Sequence, residues 1–430
     1  MIKGALGGGN TDQREINTSM AEIRPFKIDI PDVQLEKLRA KLSLVTFPDE
    51  VSFSDDPKYG TPLKDIKRLV AYWKDGYDWR QHEAKLNQLP HFTTTVEVDG
   101  FEKLEIHFLH QKSSRPNAIP LLFCHGWPGG FWEAIKLLPL LTEPEDDSQP
   151  AFNVVVPSLP NFGFSEAVTK PDFGHAQYAE TIHKLMLQLG YDKYATQGGD
   201  WGLPITRVMA LQYPKHLLAS HINFVRAHPP TLTRHPLLYL QSLFNRLRNP
   251  ALERAGVDRT RWFQREGMGY NVLQGTRPHT VGFALADSPV GLLAWVYEKL
   301  REWSDQDVYP WANQDKDDEV LTWVSLYLFS RAGAAASARI YYEAYHSCRE
   351  LQERSRRWIG GVPLGFSIFP LDIEVPPATW GRTLGPVVFE RVHDRGGHFA
   401  AWERPEALVA DLREMFRKLR GTRGMSKARI

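Results

Sequence analysis

Gly198-Gly199-Asp200-Trp201-Gly202 is the stretch that decides how this chain folds. It follows an apolar segment, residues 193–197, and precedes a helix-like run, residues 203–213, so it predicts a sharp turn between a strand and a helix. Such a turn requires small neighbours, because a Cβ beside it would collide with the backbone. Asp200 stands at the apex, where ester and amide hydrolases have Ser or Cys, and this favours alkylation of a carboxylate. Taken alone, the same letters also fit a Gly-Asp surface turn, so the interpretation depends on the rest of the chain.

Length and composition restrict the class of protein to which this chain can belong. The chain has 430 residues, 42% of them apolar and 24% charged, which is typical of a soluble globular protein. Its net charge of +1 gives no special attraction to nucleic acid or to an anionic membrane. The first 20 residues lack the apolar centre of a secretory signal, and no apolar run reaches the roughly 20 residues that span a bilayer. Cys124 and Cys348 are the only cysteines and have no metal-type spacing, so we expect a cytoplasmic protein without structural disulfides or zinc.

Local patterns predict an alternating series of strands and helices. Alternation at residues 93–98 and 104–109 around Asp99-Gly100 indicates a hairpin. Short apolar strands are then predicted at 119–124, 152–157, 193–197, 217–225, 364–369 and 387–392. The helices are predicted at 33–44, within 62–79, and at 131–141, 175–189, 203–213, 292–303, 320–328 and 404–419. Buried strands joined by helices indicate a mostly parallel sheet covered on both faces.

The same patterns divide the chain into six segments. Between residues 226 and 346 the strand signal stops and helices dominate, which predicts a lid over the carboxyl edge of the sheet. The predicted segments are a flexible leader (1–21), an N-terminal extension of helices and the first hairpin (22–112), the first part of the α/β core (113–225), the helical lid (226–346), the second part of the core (347–420) and a basic tail (421–430).

Two loops are expected beside the Gly-Gly-Asp turn. His125-Gly126-Trp127-Pro128-Gly129 directly follows a strand, so the N–H groups of Trp127 and Trp201 are candidate oxyanion donors. A plain turn explains the first motif equally well in isolation, and His125 is expected to be structural. Arg395-Gly396-Gly397-His398-Phe399 lies between the last strand and the last helix, where a triad has its base. Asp372 and Glu374, after the preceding strand, are both candidates for the acid that orients His398.

The predicted lid holds candidate proton donors. An aspartate nucleophile attacks an sp3 carbon with a poor leaving group, and an epoxide fits if a neutral acid hydrogen-bonds its oxygen. Tyrosine suits this role because its ordinary pKa is about 10. Tyr270 and the pair Tyr341-Tyr342 are the candidates, although most tyrosines in such a block only pack.

Together, these motifs resemble the microsomal-type epoxide hydrolases of the α/β-hydrolase superfamily, particularly the soluble fungal members. The resemblance runs from about Pro25 to Leu419. It rests on Asp78-Trp79-Arg80, Leu86-Asn87, His125-Gly126-Trp127-Pro128-Gly129, Pro157-Ser158-Leu159-Pro160, Gln197-Gly198-Gly199-Asp200, Thr276-Arg277-Pro278, Ser288-Pro289, Leu292-Leu293-Ala294-Trp295 and Gly396-Gly397-His398-Phe399.

The resemblance implies an α/β-hydrolase fold with a helical lid and the family's N-terminal extension. It implies that Asp200 is the nucleophile, His398 the base and Asp372 the acid. The lid donors fall on Tyr270 and on Tyr341, the first tyrosine of a Tyr-x-Glu element, with Tyr342 as the next candidate. No metal or organic cofactor is implied, and only the N–H of Trp201 is assigned a role.

The expected reaction converts a small-molecule epoxide to a vicinal diol through a covalent aspartyl ester, in a detoxifying role. A haloalkane dehalogenase shares the aspartate turn but needs N–H donors for halide rather than a tyrosine pair. A biosynthetic enzyme that opens an epoxide of a fungal metabolite remains an alternative, as does a catalytically inactive binding protein, and a homodimer is left open.

Overall fold

The computed structural model describes residues 22–248 and 250–421, so the predicted leader and residues 422–430 of the predicted tail lie outside it. Across the described residues, nine strands form a single sheet in the order β1-β2-β3-β5-β4-β6-β7-β8-β9. The strands are β1 (Arg24–Pro25), β2 (His91–Glu97), β3 (Lys103–Gln111), β4 (Ile119–Cys124), β5 (Phe152–Pro157), β6 (Tyr194–Gly198), β7 (Leu217–Ile222), β8 (Leu364–Ile368) and β9 (Val387–Val392).

The sheet is mixed, with its antiparallel part at the N-terminal edge. β1, β2 and β3 pair antiparallel, and β3 joins β5 in the same sense. From β5 onward, through β4 and β6 to β9, every pairing is parallel. Parallel strands have their carboxyl ends on one edge, so the loops after β4, β6 and β8 all emerge there.

Helices of the N-terminal extension and of the core flank the sheet. They are α1 (Asp32–Ser43), α2 (Leu63–Asp75), α3 (Trp79–Leu86), α4 (Leu137–Thr142), α5 (His175–Gln188) and α6 (Gly202–Gln212). Asp78 caps α3 by accepting a hydrogen bond from the Arg80 N–H at 2.9 Å. The Asn87 side chain bonds both the N–H and the C=O of Ile28 at 2.8 Å, which fixes the first segment against α3.

A run of helices follows β7, as the lid prediction requires. These are α7 (Pro236–Arg248), α8 (Pro250–Trp262), α9 (Gly269–Thr276), α10 (Pro278–Asp287), α11 (Pro289–Glu302), α12 (Asp317–Leu328), α13 (Arg339–His346) and α14 (Arg349–Ser355). The chain then returns to the sheet, where α15 (Ala378–Gly381), α16 (Ala400–Glu403) and α17 (Pro405–Gly421) complete the fold. α17 packs on β8, β9 and α4, while α5 and α6 pack on each other and on the sheet.

Some predicted elements differ from the structure. The helix predicted at 131–141 is a single 3₁₀ turn, Phe131–Ala134, followed by the six-residue α4, because Pro139 cannot donate a backbone hydrogen bond inside a longer helix. The helix predicted within 62–79 ends at Asp75, before α3 begins at Trp79, and the two-residue β1 was not predicted.

Two searches of the described residues concern membranes and metals. No single helix there is long and apolar enough to cross a membrane, and only the bent pair α10 and α11, at 114° to each other, passes that test when taken together. Nor do these residues contain a group of three or more His, Cys, Asp or Glu side chains arranged to hold a metal ion.

Candidate active site

Asp200 lies on a strained turn between β6 and α6. Its φ is 43°, a left-handed value that few non-glycine residues adopt. The neighbouring glycines are required by space: a Cβ on Gly202 would lie 2.0 Å from the Cys124 carbonyl oxygen, and one on Gly198 would lie 2.6 Å from the Gly202 oxygen. The turn therefore brings α6 against the end of β4 and lifts the Asp200 carboxylate above the carboxyl edge of the sheet.

The loop after β4 holds one oxygen of this carboxylate. The Trp127 N–H donates to Asp200 Oδ1 at 2.7 Å. A Cβ on Gly126 would come within 2.1 Å of the same oxygen, so only glycine allows this approach. Trp201 is the N-cap residue directly before α6, with φ −65° and ψ −25°. The loop after β4 and the turn that carries Asp200 thus meet at this carboxylate.

His398 faces the other oxygen of Asp200. Its Nε2 lies 3.3 Å from Asp200 Oδ2, and its Nδ1 lies 2.5 Å from Asp372 Oδ1. Asp372 Oδ1 also accepts a hydrogen bond from the Ile373 N–H at 2.7 Å. Glu374, the other candidate acid, instead pairs with Arg226, at 2.8 and 3.0 Å. The structure therefore places His398 between Asp200 and Asp372, in contact with both, and Glu374 does not contact His398.

Burial and neighbouring charges shift the pKa values of His398 and Asp372 in opposite directions. Burial lowers the pKa of His398, but the carboxylates of Asp372 and Asp200 outweigh it and raise that pKa to about 10. Burial raises the pKa of Asp372, against the opposing effect of His398. In the free protein the imidazole is therefore held as a cation between two carboxylates.

The loop that carries His398 is fixed by two buried acids that sequence reasoning missed. Glu403 accepts hydrogen bonds from the N–H groups of Gly397, Phe399 and Asp305 at 2.7–3.0 Å. Asp305 Oδ2 accepts from the Gly396 N–H at 2.9 Å. A Glu shortly after a Gly-Gly-His turn was the available signal, because consecutive free N–H groups need an acceptor.

Tyr270 on α9 and Tyr341 on α13 come together above Asp200. Their ring centroids are 5.7 Å apart at 80°, and both line a pocket with Asp200, Phe224, Phe263 and Met268. Burial is the main cause that raises the pKa of each tyrosine, and Asp200 adds to it, so both phenols stay neutral near pH 7. Tyr342 is 37% exposed and stacks on His346 at 4.1 Å, away from this pocket.

Two tryptophan side chains support the tyrosines. The Trp127 ring stacks on Tyr270 at 5.2 Å, and the Trp201 ring contacts Tyr341 edge-on at 4.7 Å. The sequence gave a role only to the N–H groups of these tryptophans, and their side chains prove to link the turn and the loop to the lid.

Tyr270 also forms the wall of a second, larger space. A cavity of about 940 Å³ lies between residues 57–60 and the lid, and Tyr270, Trp262, Trp295 and Lys299 line it. Tyr270 borders both this cavity and the pocket that contains Asp200. His125 has a structural place, as expected, since it is buried and bonds the Leu159 N–H and the Gly126 oxygen at 3.2 and 3.1 Å.

Comparison with known proteins gives two family matches. Residues 23–134 match the model described as "Epoxide hydrolase N terminus", and residues 119–260 match that of the alpha/beta hydrolase fold. Epoxide hydrolase 1 of Sus scrofa is 34% identical over 407 residues, which cover 91% of this chain and 88% of that protein.

Solved structures of epoxide hydrolases are also similar to this chain. Aspergillus niger epoxide hydrolase superposes with a TM-score of 0.78 at 33% identity, covering 92% of this chain and 96% of that one. Juvenile hormone epoxide hydrolase from the silkworm Bombyx mori gives 0.83 at 29% identity, covering 94% and 96%.

Proposed function

Because this chain belongs to the epoxide hydrolase family, built on the α/β-hydrolase fold, we propose that it opens its epoxide through a covalent ester on Asp200. The observation that carries the mechanism is the position of Asp200. One oxygen contacts the Trp127 N–H, the other faces His398, and the carboxylate lines the pocket that Tyr270 and Tyr341 close.

In the first half-reaction an Asp200 oxygen attacks a ring carbon of the epoxide. The C–O bond of the ring breaks while Tyr270 and Tyr341 hydrogen-bond the departing oxygen, and one of the two phenols gives it a proton. The imidazolium of His398, which no longer faces a charged Asp200, then reprotonates that tyrosinate through solvent and becomes neutral. The neutral state of both phenols supports this role. The product is an alkyl ester that carries a hydroxyl on the adjacent carbon.

In the second half-reaction His398, oriented by Asp372, removes a proton from water. The water oxygen attacks the ester carbonyl carbon of Asp200, and the Trp127 and Trp201 N–H groups stabilise the oxyanion. The contact of the Trp127 N–H with Asp200 Oδ1 supports this assignment. The ester bond to the alkyl oxygen then breaks, and the alkoxide takes the proton from His398 to give a vicinal diol. The second proton of the water, left on Asp200, passes to His398, which restores the carboxylate and the imidazolium.

The tyrosine pair also separates this proposal from dehalogenation. A halide leaves as an anion and needs N–H donors in the lid, whereas an alkoxide must be protonated. The pocket presents two phenols to Asp200 and so favours an epoxide.

Two variants test the proposal. Asp200→Ala removes the nucleophile and should form neither diol nor adduct with styrene oxide. His398→Gln keeps the nucleophile but loses the base, so its ester should accumulate. Mass spectrometry of the peptide that contains Asp200 should find one added epoxide in His398→Gln alone. Wild-type diol formation by folded Asp200→Ala would refute the mechanism.

A further inference from the structure

A fourth ionisable side chain, Glu133, shares a cavity with Asp200 and His398. The cavity lies beneath the loop after β4, and Gly126, Trp127, Glu133, Asn223, Asp200 and His398 are among the residues that line it. The volume open to the centre of a water molecule is about 20 Å³. A single water needs roughly 10–15 Å³ by this measure, so the cavity has room for one.

The backbone is shaped around the Glu133 carboxyl. Glu133 lies on the 3₁₀ turn Phe131–Ala134, and its Oε1 accepts a hydrogen bond from the Gly130 N–H at 3.1 Å. A Cβ on Gly129 would come within 1.6 Å of this oxygen. The glycine at 129 therefore leaves the space that the carboxyl fills, on the side of the loop that faces Asp200.

Burial of the Glu133 carboxyl favours its protonated form at neutral pH. Burial is the main cause of a pKa of about 8 for Glu133; His398 lowers this pKa, while Asp200 raises it. The other titratable neighbours are the Cys124 thiol on β4 and the Tyr327 hydroxyl, which donates to the Gly129 oxygen at 2.8 Å. A protonated carboxyl both donates and accepts hydrogen bonds, which a water molecule can use in either direction.

A capping role alone does not require this location. A carboxylate that caps a turn works equally well on the surface, where it remains ionised without cost. Glu133 instead lies beside the nucleophile and the base.

We propose that Glu133 hydrogen-bonds the water that hydrolyses the Asp200 ester and holds it within reach of His398. The inference rests on the proposed covalent function. His398 Nε2 takes one proton of this water while its oxygen bonds to the Asp200 carbonyl carbon. When the ester C–O bond breaks, the alkoxide takes that proton from His398. The second proton of the water stays on the Asp200 carboxyl and then passes to His398. Glu133 keeps its own proton throughout, so it is a positioning residue.

The test separates the two half-reactions. Glu133→Ala removes the hydrogen bond to water, and hydrolysis of the ester should slow about 10- to 100-fold, since misplacement of a reacting group by about 1 Å has an effect of that size. Alkylation, which needs no water, should stay within about twofold of wild type. Glu133→Gln keeps the size and both hydrogen-bonding functions, so it should restore hydrolysis to within about threefold. Rapid-quench kinetics with styrene oxide, followed by mass spectrometry of the Asp200 peptide, measures both rates.

Glu180→Gln is the matched control. Glu180 is a partly buried acid on α5 that binds Lys184 and the Asp99 N–H, far from the cavity, and this change should alter neither rate. Wild-type hydrolysis in Glu133→Ala, with ester still accumulating in His398→Gln, would overturn the role of Glu133 and leave the proposed function intact. Equal slowing of both half-reactions in Glu133→Ala would also overturn it, because the residue would then only support the loop. If no variant, His398→Gln included, forms an adduct, the proposed function itself fails.

Discussion

At the scale of single residues, the two oxygens of Asp200 have different partners. Oδ1 accepts from the Trp127 N–H, and Oδ2 faces His398. These contacts hold the carboxylate in one orientation before the epoxide binds, which reduces the entropy lost on reaching the transition state. We therefore expect the turn, and not the substrate, to set the direction of attack.

Removal of the tyrosine hydroxyls should affect alkylation. Tyr270→Phe or Tyr341→Phe alone leaves one donor for the epoxide oxygen, whereas the double variant leaves none. Alkylation in the double variant should fall by about 10²–10⁴-fold, the usual contribution of general-acid catalysis. Stopped-flow or rapid-quench measurement of adduct formation gives this rate. Tyr342→Phe, at an exposed position, is the control and should leave the rate of alkylation unchanged. Full activity in the double variant would mean that another group protonates the oxygen.

The pKa of His398 predicts different pH profiles for the two half-reactions. It is raised to about 10 in the free protein by Asp372 and Asp200, despite burial. Alkylation neutralises Asp200, which removes one of the two carboxylates, so the pKa of His398 should fall below 10 in the ester. Hydrolysis needs neutral imidazole and should rise with pH through this lower value. Alkylation needs the Asp200 carboxylate and the neutral phenols of Tyr270 and Tyr341, so it should show no such rise. Rapid-quench profiles that rise identically for both steps would contradict this sequence of charges.

At the scale of elements, the site depends on close packing between β4 and α6. The Cys124 carbonyl oxygen limits how closely they approach, because a Cβ on residue 202 would lie only 2.0 Å from it. The contact fixes the turn relative to the loop that carries Trp127, and so it couples stability to the geometry of the site.

Gly202→Ala should therefore lower both stability and activity. The added methyl must push α6 away from β4, and overpacking of this kind costs about 1–3 kcal/mol in the free energy of unfolding. Denaturant titration by circular dichroism measures that loss, and diol assays measure the activity. Gly269→Ala is the control, since nothing lies within 4 Å of its Cβ at the start of α9, and its stability should be unchanged or slightly higher. Equal stability of the two variants would show that the packing tolerates a methyl group.

Several elements could be predicted closely from the sequence because their patterns are local. The strands Ile119–Cys124, Phe152–Pro157 and Val387–Val392 have the predicted bounds. The 131–141 segment was predicted wrongly as one helix, because its apolar spacing concealed the break before α4. Glu133 lies on the 3₁₀ turn before that break, so the wrong helix also hid a residue that lines the cavity of Asp200.

At the scale of the whole molecule, the site joins segments that are far apart in the chain. Asp200, Asp372 and His398 follow from motifs at the ends of β6, β8 and β9, which the strand order brings together. The contacts of the Trp127 and Trp201 rings with the tyrosines could not be predicted in this way. They depend on how α9 and α13 pack over the sheet, and no local sequence pattern sets the distance between these helices and the two tryptophans.

The central claim is that oxygen reaches the substrate from Asp200 and not directly from water. A single turnover with protein in excess over styrene oxide, in ¹⁸O-labelled water, separates the two routes. The covalent route predicts largely unlabelled diol, with the label found in the Asp200 peptide because solvent oxygen enters only when the ester is hydrolysed. Diol that carries the full solvent label in this first turnover, with an unlabelled Asp200 peptide, would make Asp200 a general base and contradict the account.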